Sequence, residues 1–225
     1  MNTTQASSSA GTTRRRLIEA LVAYGIFGGL SILSRCVPPV FALVVVTGIG
    51  FPMAWAGLTR DWSEIGFTRR KLGQALLWGL GAGVAGMLYV FLGVKRDAMP
   101  SPSMLGVQLA VGIPLAILII SPFQEFFFRG WLQPRLEQAL GGRRGLLATS
   151  LAFSLWHLFP PLEGTATSTI SVSSAGGILT SLGMGLAFGY IFQRTRNIVA
   201  PWLAHALMVA ATIAVGAMTL VQFGT

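Results

Sequence analysis

Ser121-Pro122-Phe123-Gln124-Glu125-Phe126-Phe127-Phe128-Arg129-Gly130 sets an amide, a carboxylate and a guanidinium in otherwise apolar sequence. On a helix, Glu125 and Arg129 are four apart and share a face, acid before base, the favourable order. Gln124 is turned about 100° from Glu125 on an ideal helix. The three consecutive phenylalanines suit lipid or core packing. Polar groups are expensive in such surroundings, so this stretch is where function is sought.

The rest of the chain gives the stretch its setting. Of 225 residues, 53% are hydrophobic and only 10% charged, against about 25% charged in a soluble domain. Mean hydropathy is +0.68. Such a chain lacks the polar surface to face water all round, which predicts an integral membrane protein. Strand signals are weak, and apolar runs rich in Gly and Ala suit close-packed membrane helices. The fold class expected is all-α, a polytopic bundle of about seven spans. The net charge of +9 lies in short basic groups between apolar runs, which fits topology determinants and not nucleic-acid binding. Cys36 is the single cysteine, so no intramolecular disulfide and no paired-cysteine metal motif is expected.

Residues 1–13 are Ser/Thr-rich and read as a disordered tail, leaving 14–225 as one membrane-embedded domain. Spans are expected at about 17–34, 37–58, 73–93, from 104 towards 140, 145–159, 175–192 and 198–222. A Ser/Thr loop is expected over 162–174. Pro114, Pro122 and Pro134 are expected to kink the fourth helix. With the N-terminus in the cytoplasm, twelve basic residues fall inside, among them Arg60, Arg135, Arg143 and Arg196. Only Arg35, Lys95 and Arg96 fall outside, and the C-terminus is then outside. Arg129 is the one basic residue expected within the apolar layer.

The chain has two histidines, His157 and His205, each in a predicted span. Glu125 is the acid deepest in the apolar runs. Gln124, Glu125, Arg129, His157 and His205 therefore come from three helices and are expected to meet at one site. Two chemistries can use them. A carboxylate can take a proton from water while a histidine assists and another polar group steadies the oxyanion of peptide hydrolysis. Alternatively, two histidines and a carboxylate can hold Zn²⁺. The histidines are not on adjacent turns of one helix, as in common zinc proteases, so hydrolysis without metal or cofactor is favoured.

Gln124-Glu125-(x)3-Arg129, then Phe153-(x)3-His157, then His205 resembles the three-motif pattern of the CAAX prenyl protease and bacteriocin-processing family, the Ras-converting-enzyme-like glutamic intramembrane proteases. The pattern spans about residues 104–210, and Phe128-Arg129-Gly130 is similar to bacterial members. The resemblance implies a cytosol-accessible cavity among membrane helices, a carboxylate-activated water and a histidine in the oxyanion site. It implies Glu125, His157 and His205 as site residues, with Arg129 and Phe153 supporting. Two positions depart from it. Gln124 stands where the family has its water-activating glutamate, and Val209 stands where the third motif has Asn or Asp. An amide is no general base near neutral pH, and valine has no hydrogen-bonding group. Either the chain binds without cleaving, or Glu125 takes over as base, or Gln124 is a trap substitution in an active enzyme.

The expected partners are a lipid bilayer and a membrane-associated or lipidated protein substrate, in a bacterial or archaeal cell membrane. The expected activity is peptide-bond hydrolysis; the alternative is a non-enzymatic binding or self-immunity protein. Position 124 is expected to face the histidines while Arg129 holds Glu125. The two imidazoles are expected within about 12 Å of each other.

Overall fold

Pro38-Pro39, the polar linker after Thr59 and Gly141 divide the first two thirds of the chain into four long helices. The computed structural model describes residues 3–93, 102–159, 167–168, 175–216 and 218–219. Within these, α1 runs Thr3–Cys36, α2 Pro38–Thr59, α3 Leu72–Gly93 and α4 102–140. Then come α5 (Gly142–Trp156), α6 (Ala175–Thr195) and α7 (Val199–Ala214). Four segments are long and apolar enough to cross a membrane: Thr13–Cys36, Pro38–Thr59, Leu72–Gly93 and Leu105–Leu140. Val199–Ala214 is a shorter apolar helix. The seven-helix, all-α architecture agrees with the sequence reading.

Three expectations are corrected. Helix α1 begins at Thr3, within the segment read as a tail. The fifth helix ends at Trp156 rather than 159. The seventh ends at Ala214 rather than 222, where Gly216 takes a left-handed φ of 72° and its N–H donates to Ile213 O. Beyond that stop, Met218–Thr219 pairs antiparallel with Thr167–Ser168 inside the segment read as a loop. Lys95 and Arg96 lie outside the described residues.

Val46–Gly50, Ala116–Ile120 and Phe126–Leu132 are π-helical, and each ends two residues before a proline: Pro52, Pro122 and Pro134. Proline has no N–H to donate and its ring crowds the carbonyl four residues back. Widening the preceding turn relieves that crowding and lets the helix run on. Gln124 and Glu125 lie in the short α-helical segment Ser121–Glu125 between two such turns.

Helix α4 is the centre of the bundle. Every residue from Ser121 to Glu137 is buried. Phe127 stacks on Phe27 of α1 at 4.1 Å between ring centroids, and Phe128 meets Phe153 of α5 edge-on at 5.1 Å. The phenylalanine run is thus core, not lipid-facing surface. Helices α3 and α7 pack closely because Gly83 has no side chain: a Cβ there would lie 2.5 Å from Leu207 Cδ1.

The polar ends of the helices interlock at one end of the bundle. Glu64, in the α2–α3 linker, lies 3.8 Å from Arg16 and 3.6 Å from Arg135. Glu137 near the end of α4 pairs with Arg196 after α6 at 2.6 Å. Asn197 Nδ2 donates to the carbonyls of Thr68 and Arg70, at 2.8 and 2.9 Å. The start of α1 and the α2–α3, α4–α5 and α6–α7 connections therefore share one end, the alternation a seven-span bundle requires.

Candidate active site

Glu125 sits about 18 Å along α4 from Glu137, at 1.5 Å per residue, which places it well inside the bundle. Its side chain is fully buried, as is that of Arg129. Glu125 Oε1 lies 3.3 Å from Arg129 Nη1 and 2.7 Å from His205 Nδ1 on α7. One carboxylate oxygen thus joins a guanidinium of its own helix to an imidazole of another. The second oxygen, Oε2, is buried without a hydrogen-bond partner among the described residues.

Arg129 is held by groups on three helices, while its Nε has no hydrogen-bond partner among the described residues. Its Nη2 donates to Gly185 O of α6 at 3.4 Å, and its guanidinium lies over the rings of Phe153 (4.1 Å) and Phe188 (5.5 Å). Cation–π contact of this kind offsets part of the desolvation of a buried cation. Phe188 also lies against His205, with centroids 5.3 Å apart.

Phe153 separates the two histidines. Its ring is 4.3 Å from that of His157 and 6.4 Å from that of His205. The imidazole centroids are therefore no farther apart than the sum of those distances, inside the expected limit. His157 follows the last residue of α5, and its Nδ1 is 2.8 Å from Phe153 O. A carbonyl only accepts, so Nδ1 carries the proton, and Nε2 of the neutral ring is left with a lone pair.

Gln124 behaves differently from the expectation. It is buried, and its Nε2 donates back to Ile120 O of its own helix at 3.2 Å. Its Oε1 is buried without a partner among the described residues. Glu125, not Gln124, makes the contact with a histidine. Val209, one turn after His205 on α7, packs with Ala116 and Ile213 in an apolar cluster.

Two further polar groups were not singled out by sequence. Gln133 and Glu137 continue the i, i+4 row of Glu125 and Arg129 and face α6. Gln133 Nε2 donates to Glu137 Oε1 at 2.7 Å and to Gly189 O at 3.0 Å, and Gln193 Nε2 donates to Glu137 Oε1 at 2.8 Å. The contacts 129–185, 133–189 and 137–193 keep a constant offset of 56 residues, so α4 and α6 run parallel with matched turns. The four-residue spacing from 125 to 137 was a sequence signal for this row. Arg135 is a second fully buried guanidinium beside Arg129. It lies 3.8 Å from the Trp131 ring centroid and 3.6 Å from both Glu19 and Glu64.

Among the described residues no three His, Cys, Asp or Glu side chains form a metal-holding group. Glu125, Arg129 and His205 instead form a charged cluster able to orient an imidazole, with His157 across Phe153. Residues 106–211, which contain all of these groups, match the family model described as type II CAAX prenyl endopeptidase Rce1-like. No curated protein and no solved structure matches the chain.

Proposed function

We propose, on the premise that the core of this chain, residues 106–211, belongs to the Rce1-like family of type II CAAX prenyl endopeptidases, that the protein is an intramembrane endopeptidase. It hydrolyses a peptide bond in a membrane-associated or lipidated protein, with histidine-activated water. A site buried within an integral membrane protein suits a substrate that arrives along the bilayer.

The observation that carries the reading is the shared oxygen of Glu125, 2.7 Å from His205 Nδ1 and 3.3 Å from Arg129 Nη1. This carboxylate fixes the His205 ring through Nδ1, and a proton on Nε2 donates to the oxyanion of a tetrahedral intermediate. His157 presents the lone pair of Nε2, because Phe153 O fixes the proton on Nδ1. That lone pair accepts the proton of the attacking water and later returns it to the leaving amine. Gln124 can orient that water through its free carbonyl oxygen but cannot deprotonate it.

One observation favours a second reading. The Gln124 amide is tied to Ile120 O at 3.2 Å, and no carboxylate stands at that position. A chain with this side chain fixed binds a membrane peptide without cleaving it, as a self-immunity or partner protein. Cleavage of a membrane-peptide library by purified protein in liposomes separates the two, comparing wild type, His157→Ala, His205→Ala and Gln124→Glu. Wild-type cleavage abolished by either histidine substitution supports the enzyme. Binding without cleavage in all four supports the second reading.

A further inference from the structure

On the outer face of the bundle, α3 and Ile191 of α6 border an open cleft of about 370 Å³ lined by Leu77, Trp78, Gly81, Ala82 and Ile191. Its lining is almost wholly apolar. Leu77 and Trp78 are exposed on this face, and no side chain lies over Gly81, where an added Cβ would meet nothing within 4 Å. Toward the charged end of the bundle, the cleft leads to Tyr190, whose ring meets Trp78 edge-on at 6.2 Å. The Arg194 guanidinium lies 5.7 Å over Tyr190, and Lys71 Nζ donates to Arg194 O at 3.5 Å. Both cations are exposed.

The order is two cations, two aromatic rings, then an apolar slot running into the membrane layer. Trp78 is seven residues into the chain from Lys71, about 10 Å along α3. Trp and Tyr favour the headgroup level of a bilayer, and basic side chains beside helix grooves there attract anionic headgroups. The complement of this arrangement is an amphiphile with a negative head and an aliphatic chain.

We propose that this cleft is a binding site for an anionic phospholipid of the surrounding leaflet, its acyl chain along Leu77, Gly81 and Ala82 and its phosphate between Lys71 and Arg194. The site is separate from the Glu125–His205 cluster, and occupancy clamps α3 to α6. Because α6 carries the carbonyls that receive Arg129 and Gln133, the lipid stabilises the scaffold of the buried site from outside.

The test uses the purified full chain in neutral detergent, titrated with dioleoyl phosphatidylglycerol or dioleoyl phosphatidylcholine. Thermal-unfolding midpoint and lipid retention in native mass spectrometry are read together. Phosphatidylglycerol is expected to be retained in preference to phosphatidylcholine and to raise the midpoint. Lys71→Gln and Arg194→Gln are each expected to weaken its binding about fivefold, and together about 25-fold. Gly81→Leu fills the slot and is expected to abolish retention while leaving the cations in place. Arg143→Gln with Arg144→Gln, at the same end but on α5 and not on the helices that line the cleft, is expected to change nothing. Equal retention of both lipids, equal loss from the Arg143/Arg144 variant, or retention unaffected by Gly81→Leu overturns the proposal. So does equal stabilisation by inorganic phosphate, which needs no slot, or by farnesol, which needs no cation.

Discussion

Glu125 Oε1 and His205 Nδ1 lie 2.7 Å apart, bringing together residues 80 positions apart in the chain. The same oxygen holds Arg129 at 3.3 Å, so one atom ties α4 to α7 and neutralises the deepest cation of the bundle. Removing the carboxylate therefore leaves Arg129 buried without a counter-charge, whereas removing the imidazole leaves the ion pair intact. Glu125→Gln is expected to destabilise by about 3–5 kcal/mol. His205→Ala is expected to lose about 1.5–3 kcal/mol, the range of a hydrogen bond to a charged group. Chemical or thermal unfolding in detergent measures both; a larger loss from His205→Ala contradicts the assignment.

Gln124→Glu puts a carboxylate next to Glu125 on α4, in a buried setting, in place of an amide tied back to Ile120 O. A general base in position is worth about 10²–10⁴ in rate, so peptide cleavage in liposomes is expected to rise within that range. Val209, which offers no polar side chain, limits the gain. Equal rates for Gln124→Glu and wild type would leave His157 as the base, with no gain from a carboxylate at position 124.

Val209→Asn does not by itself restore an oxyanion donor. The side chain at 209 lies among Ala116 and Ile213, so an amide there is buried without a ready partner. A loss of about 1–3 kcal/mol is expected, read as a lower unfolding midpoint. An unchanged midpoint would show that the amide reaches a polar neighbour.

Two glycines on α3 give an internal comparison. A Cβ at Gly83 would lie 2.5 Å from Leu207 Cδ1 and 3.0 Å from its Cβ, and one at Gly81 would meet nothing within 4 Å. Gly83→Ala is expected to cost about 1–3 kcal/mol by overpacking. Gly81→Ala is expected to be neutral or slightly stabilising, since Ala is the better helix former. Unfolding midpoints of the two variants in the same detergent check this; equal midpoints would remove the close α3–α7 approach.

Arg60 and Arg143 are both exposed, and their connections share the polar end that Glu64, Arg135, Glu137 and Arg196 hold together. In a Cys36→Ser background, Arg60→Cys and Arg143→Cys are expected to react with an impermeant thiol reagent from the same side of the membrane. By the positive-inside rule, that side is expected to be the cytoplasm. Labelling of the two from opposite sides would break the seven-span alternation.

Much of this architecture was legible in the residues themselves. Apolar run lengths, basic groups at alternate turns and breaks at Pro38-Pro39 and Gly141 determine a helical membrane bundle, because a bilayer requires about 20 apolar residues per helix and satisfies no free backbone groups. The scarcity of ionisable side chains inside those runs singles out Glu125, Arg129, His157 and His205. Which of two adjacent residues meets a histidine was decided only in three dimensions. Helical periodicity fixes the angle between Gln124 and Glu125 but not the absolute rotation of α4, and the π-helical turns before Pro122 and Pro134 alter that rotation on both sides of the pair. Nor can hydrophobic periodicity mark an inward face on a helix enclosed all round from Ser121 to Glu137. The parallel seating of α6 on α4 gives Arg129 and Gln133 their carbonyl partners. The burial of Arg135 beneath Glu19 and Glu64 likewise depends on contacts between distant segments, which no local pattern encodes.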